Sequence, residues 1–157
     1  MTIAVIGIGQ SLRGDDAAGL EAVRRWREKY PETAGLPDVR VEASELPGVN
    51  LLDLLAGADV AILVDAVHGP AAPGTLLHLG PDDLDAFTSS SASAHGWGVA
   101  ETLRLGRVLS PLPDGCRITL LGITAEDLNI GAGLSAAVES KLDDIIETIE
   151  RVVRSQI

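Results

Sequence analysis

The sequence contains little of several residue types that mark common protein classes. A single cysteine among 157 residues excludes a disulfide framework and a zinc site built from cysteines alone. Aromatic residues make up only 3%, so base-stacking platforms and aromatic sugar-binding clefts are not expected. Basic residues are outnumbered by acidic ones, 12 against 23, and the net charge of −11 argues against nucleic acid or an anionic membrane as a partner. No apolar run approaches the roughly 20 residues that span a bilayer.

The residues that are abundant predict a folded domain. Hydrophobic residues make up 46% and charged residues 22%, which excludes intrinsic disorder. The length suits a single domain over residues 1–157. Met1 leads directly into an apolar run without a basic segment, which predicts a first strand rather than a signal peptide. We therefore expect a cytoplasmic protein in a reducing compartment.

Five strand-like runs predict a mainly parallel sheet. They lie at residues 2–8, 39–43, 60–67, 74–79 and 117–123, and helical patterns lie at residues 17–29, 49–56, 98–109 and 135–154. The alternation of strands and helices predicts an α/β fold with helices on both faces of the sheet. The run at 74–79 follows its predecessor with too little chain for a helix, so we predict an antiparallel edge strand there.

Ligands of open parallel sheets bind beyond the carboxyl ends of the strands, and the first such segment contains glycines and acids. Gly7 and Gly9 fit the dinucleotide-binding pattern, but Leu12 stands where its third glycine is needed. Asp15 and Asp16 at the helix start would repel a pyrophosphate, so nucleotide binding is disfavoured. Two interpretations of these acids stay open. Asp15 caps the helix while Asp16 stabilises its first turn, or one of them coordinates a cation.

A second acid and a histidine follow later in the chain. Asp65 is the one charge in the otherwise apolar run 60–67, and a buried carboxylate needs a metal, a base or several N–H donors. A turn acid at the strand end, bonded to backbone amides, is an equally good interpretation. His95 alone is more typical of a solvated or capping side chain. Together, however, Asp16, Asp65 and His95 come from three loops that would meet at one sheet edge, where they suit a divalent transition-metal ion.

Other candidates are weaker. His68 lies close behind Asp65 and would act as an outer group, while His78 has the position of an outward strand residue. Cys116 has no evident activator, so it is not expected to be a nucleophile. The basic residues at positions 24–29 are most simply a solvated helix end, favoured by the helix dipole.

Four segments in order resemble the hydrogenase maturation proteases, the endopeptidases that process the large subunit of nickel-iron hydrogenases. Residues 4–19 (AVIGIGQSLRGDDAAG) resemble the family's glycine and acid signature. Residues 64–79 (VDAVHGPAAPGTLLHL) resemble its Asp-Ala segment followed by Pro-Gly-Thr. Residues 93–103 (SAHGWGVAETL) are similar to its histidine segment, and residues 120–142 to its Gly-Leu-Ser segment before the last helix.

The resemblance implies a fold, a reaction and a site. The fold is a three-layer α/β/α sandwich with a mostly parallel, twisted sheet of about five strands and one antiparallel edge strand. The reaction removes a C-terminal extension from the hydrogenase large-subunit precursor after nickel insertion. The family's metal-contacting residues fall on Asp16, Asp65 and His95, which we take as both catalytic and metal-contacting. The implied metal is nickel carried by the substrate, the implied partner is the precursor, and we expect a monomer.

Three departures from the family pattern leave an alternative open. Gln10 replaces the usual asparagine, and Ala125 stands where proline is common. Residues 42–48 (EASELPG) replace an acid-Gly-Gly-Thr segment, which puts the substrate-tail contacts of that loop in doubt. The alternative is a non-catalytic module of the same fold that binds nickel or the precursor as a chaperone.

Overall fold

The computed structural model describes residues 1–45, 50–81, 83 and 115–157. Its sheet has five strands in the order β2-β1-β3-β5-β4. The strands are β1 (Ile3–Ile8), β2 (Val39–Ser44), β3 (Val60–Val67), β4 (Leu76–Leu79) and β5 (Arg117–Thr124). Strands β1, β2, β3 and β5 pair in parallel, and β4 pairs antiparallel with β5 at one edge. The carboxyl ends of the parallel strands therefore share one edge of the sheet.

Helices lie on both faces of this sheet. A short 3-10 helix (Gly14–Ala17) leads into α1 (Ala18–Lys29), and the other described helices are α2 (Pro31–Ala34), α3 (Asn50–Leu55), α4 (Ala136–Glu139) and α5 (Leu142–Arg154). Helices α1 and α5 pack on each other and share one apolar core with the sheet. Helix α3 packs against the opposite face through a second core. The protein is thus an α/β sandwich.

Strand β3 shows why the sequence adopts this arrangement. All eight of its residues are buried, because a central parallel strand is covered by helices on both faces. Ile62 and Val64 belong to the core beside α1 and α5, whereas Ala61 and Leu63 belong to the core beside α3. Side chains alternate between the two faces, so Asp65 lies on the α3 face.

The strand predictions are confirmed within a residue or two, including the antiparallel edge strand at β4. The predicted helix at 17–29 begins as a 3-10 turn. The prediction of one continuous helix over 135–154 is wrong, because the chain forms α4 and then α5. At the break the Ser140 hydroxyl bonds to the Ala137 carbonyl, a local bond that competes with the helix ladder. The predicted helix at 98–109 lies outside the described residues.

The basic residues of α1 were predicted to form a solvated helix end, but two of them pair with acids on other helices. Arg25 pairs with Glu139 of α4 at 2.7 Å, and Lys29 pairs with Glu147 of α5. The Trp26 indole donates to Glu150 of α5 at 3.0 Å. These contacts join α1 to the two C-terminal helices. They hold together the helical layer in which α1 begins at the carboxyl edge of the sheet.

Candidate functional site

The segment after β1 lies in close contact with the carboxyl ends of β1 and β3. A Cβ atom at Gly19 would lie 2.1 Å from the Val64 carbonyl oxygen and 2.5 Å from that of Ile8. A Cβ atom at Gly9 would lie 1.9 Å from the Asp16 carbonyl oxygen. All three distances are shorter than the contacts that real Cβ atoms make. Glycine at these two positions therefore permits the backbone around Asp16 to reach the sheet.

Asp16 and Asp65 are both fully buried at this edge, each with 0% of its surface exposed. The 3-10 helix that carries Asp16 contacts β3, which carries Asp65. Asp65 is in register with Gly122 of β5, so the position facing it on the neighbouring strand has no side chain. A carboxylate is rarely fully buried without a specific task, and two at one strand edge mark this region as the candidate site.

His95, the third predicted site residue, lies outside the described residues. Within residues 1–45, 50–81, 83 and 115–157, no three histidine, cysteine or acidic side chains are grouped closely enough to hold a metal ion. The three-residue set of Asp16, Asp65 and His95 therefore stays a prediction from sequence.

Asp15 has a different role from its neighbour. Its Oδ2 atom accepts hydrogen bonds from the backbone N–H groups of Glu126 and Asp127 at 2.8 and 3.0 Å and from the Ser135 hydroxyl at 2.8 Å. Its Oδ1 atom accepts from the Ser135 N–H at 2.7 Å. The interpretation of Asp15 as a helix cap is wrong, because the helix start receives no side-chain hydrogen bond. Asp15 instead binds the loop that follows β5.

These bonds determine the charge state of Asp15. Burial raises the pKa of the carboxyl group, but the N–H groups of Asp127, Ser135 and Glu126 and the Ser135 hydroxyl lower it by more. The net result is a pKa below the ordinary 3.8. Asp15 is therefore an ionised anchor, and Ser135 also accepts from the Val138 N–H to cap α4.

The loop after β1 is held on both of its sides. On one side the Gly9 N–H donates to the Ser44 carbonyl, and the Ser11 N–H donates to Glu45 Oε1, both at 3.0 Å. On the other side the Asp15 N–H donates to the Asp127 carbonyl at 2.7 Å, and Gly131 donates to Leu12 at 2.8 Å. Hydrogen bonds thus connect the loop after β1 to the end of β2 on one side and to the loop after β5 on the other. Sequence reasoning did not find these pairings, although Glu45 lies in the segment flagged as divergent.

Gly14 is needed where two of these loops meet. Its φ is +56°, and a Cβ atom there would lie 2.3 Å from the Asp127 carbonyl oxygen. We expect Gly14→Ala to lower the free energy of unfolding by about 3 kcal/mol, since left-handed strain costs about 1–2 kcal/mol and the collision adds to it. Chemical denaturation measures this.

Gly57→Ala is the matched control for that variant. Gly57 has a φ of +76° but open space where a Cβ atom would lie. It should therefore lose only the left-handed strain, about 1 kcal/mol. Equal losses in the two variants would show that the contact between Gly14 and Asp127 contributes nothing.

The remaining sequence candidates are less buried than Asp16 and Asp65. His78 is exposed on β4 as predicted, and His68 is exposed after β3. Burial, together with the nearby Asp59 charge, raises the pKa of the Cys116 thiol, which disfavours the reactive thiolate. None of the three has the buried environment of Asp16 and Asp65.

The fold and the two buried acids define an α/β domain with its candidate site at the carboxyl edge of the sheet. Comparison with known proteins gives the particular family. Residues 46–152 match the hydrogenase maturation protease family. The chain is 30% identical to the hydrogenase 2 maturation protease of Escherichia coli over 156 residues, 98% of this chain and 92% of that protein. It is 31% identical to the hydrogenase expression/formation protein HupD of Rhodobacter capsulatus, over 98% of this chain and 71% of that protein.

A solved structure gives the same result. The hydrogenase maturating endopeptidase HybD from E. coli superposes with a TM-score of 0.82 at 27% identity, covering 99% of this chain and 94% of that one. The chain therefore belongs to the hydrogenase maturation protease family and is an endopeptidase, as the four sequence segments indicated. Among the described residues, no helix is both long and apolar enough to cross a membrane.

Proposed function

We propose that this endopeptidase removes the C-terminal extension of a nickel-loaded nickel-iron hydrogenase large-subunit precursor. The observation that carries the proposal is the complete burial of Asp65 near the carboxyl end of β3 and of Asp16 on the 3-10 helix that contacts β3. The membership of the chain in its family supports the substrate class. We further infer that the protein acts in the cytoplasm as a monomer.

In this proposal Asp16, Asp65 and His95 contact nickel that the precursor carries. Carboxylate and imidazole ligands suit a divalent transition-metal ion with open coordination positions. Contact with the metal places the scissile peptide bond beside the same side chains. The extension is then cut only from a precursor that has received its metal, because an empty precursor lacks the group that positions it.

Hydrolysis needs a base close to the scissile bond. A carboxylate of the site takes a proton from water while the water oxygen adds to the peptide carbonyl carbon. The C–N bond then breaks, and the proton passes to the leaving amine, so the products are a new carboxylate and a free amino terminus. The proposal assigns this chemistry to the set of three residues and not to one named base.

Co-expression of the protein with a precursor tests the proposal. We expect intact-mass spectrometry to show a large subunit shortened at its C-terminus in the presence of the wild-type protein and full-length without it. A stable complex with the precursor whose extension is intact would contradict proteolysis. That result would favour the alternative function, a non-catalytic chaperone, which the divergent segment 42–48 suggested.

A further inference from the structure

Large apolar side chains are rarely exposed in the part of the chain that the structure describes, and those that are form two groups. Three of them, Met1, Leu36 and Ile157, line one shallow cavity beside the first residues of β1 and β2. The other two are Leu12, 72% exposed, and Ile130, 81% exposed. They lie on the two loops that follow β1 and β5, at the carboxyl edge of the sheet where Asp16 is buried.

The backbone holds Leu12 and Ile130 next to each other. The N–H of Gly131, which follows Ile130, donates to the Leu12 carbonyl at 2.8 Å. The same two loops are joined by the bond from the Asp15 N–H to the Asp127 carbonyl and by the Asp15 carboxylate. The pair is therefore fixed before any partner arrives, which lowers the entropy lost on binding.

We propose that Leu12 and Ile130 form a docking surface for an apolar segment of the protein substrate. The inference rests on the proposed function, because it takes the precursor as the occupant. Leu12 is four residues before Asp16, so a chain that contacts Leu12 lies beside the candidate site. An endopeptidase must hold its substrate on at least one side of the scissile bond, and a few residues commonly supply most of the affinity of an interface.

Charge argues against the other occupants. A second copy would bring another net charge of −11 against this face, and like charges disfavour association. An anionic membrane would be repelled for the same reason. The half-buried Arg13 follows Leu12 in the chain and the exposed Asn129 precedes Ile130, so polar side chains flank the apolar pair, as in protein–protein interfaces.

The test is processing kinetics of Leu12→Ser and Ile130→Ser on the nickel-loaded precursor. We expect each variant to raise KM about tenfold with kcat changed less than about twofold, since the side chains contribute binding and not chemistry. The matched control is Ile157→Ser, which removes an equally exposed apolar side chain near the amino edge of the sheet and should leave KM unchanged. Unchanged KM in both Leu12→Ser and Ile130→Ser would overturn the inference.

A binding measurement separates this inference from the proposed function. If the wild-type protein does not shorten the precursor, the proposed function fails, and calorimetry with the same precursor still decides the docking surface. A dissociation constant raised about tenfold by Leu12→Ser supports it, and an unchanged constant overturns it. Sedimentation of the protein alone is the third arm. A wild-type dimer that Leu12→Ser converts to a monomer would assign the surface to a second copy and also overturn the inference.

Discussion

Asp16→Asn is expected to reduce precursor cleavage by at least about 100-fold while leaving the fold intact. An amide has the shape of the carboxylate but neither its charge nor its basicity, so it contacts nickel more weakly and cannot act as a general base, whose loss costs about 10²–10⁴-fold in rate. Asp65→Asn should show the same loss. Each variant should still unfold cooperatively in urea, which shows that the lost cleavage is not a loss of the fold.

Asp38→Asn is the matched control for these two substitutions. Asp38 is exposed beside the amino end of β2, far from the carboxyl edge of the sheet. It loses the same charge without touching the site, so its cleavage rate should equal that of the wild type. The assay is the initial rate of precursor shortening, followed by gel mobility and confirmed by mass. Wild-type rates in both Asp16→Asn and Asp65→Asn would remove these residues from the site.

Asp15→Asn should mainly lower the stability of the fold, whereas the substitutions of Asp16 and Asp65 should mainly lower the cleavage rate. The Asp15 carboxylate accepts four hydrogen bonds from Glu126, Asp127 and Ser135, and an amide nitrogen would turn a donor toward some of them. A buried donor that loses its acceptor costs about 1–3 kcal/mol. We therefore expect the free energy of unfolding to fall by about 3 kcal/mol, measured by urea denaturation at neutral pH.

The pH dependence of that difference identifies its cause. The pKa of Asp15 is lower in the folded protein than the ordinary 3.8 of the unfolded chain, so its ionised form stabilises the fold. This contribution is complete above the unfolded pKa and is lost as the pH falls from 3.8 toward the folded pKa. The stability difference between wild type and Asp15→Asn should be constant from neutral pH to about pH 5 and shrink below about pH 4. A difference independent of pH would assign the loss to packing rather than to charge.

The sheet could be predicted because its information is local. The run VAILVDAV is apolar along its whole length, which indicates a strand covered on both faces. The short connection from β3 to β4 leaves no room for a crossover helix, so the antiparallel edge followed from length alone. Asp65 was recognisable for the same reason, as a single charge inside an apolar strand.

The difference between Asp15 and Asp16 could not be predicted. Two adjacent acids at a helix start look alike in sequence, and only the fold reveals that one of them binds a loop more than 100 positions away. The adjacency of Leu12 and Ile130 depends on the same long-range pairing. The break between α4 and α5 was missed because the apolar stripe continues through it. The role of His95 stays a prediction.

The most direct measurement compares nickel-loaded and nickel-free precursor as substrates of the wild-type protein. Each form is incubated with the protein under the same conditions, and the intact mass of the large subunit is followed with time. We predict that the nickel-loaded precursor loses its C-terminal extension and that the nickel-free precursor keeps it. Equal cleavage of both forms would contradict recognition of nickel on the substrate, and an intact extension on both would contradict proteolysis itself.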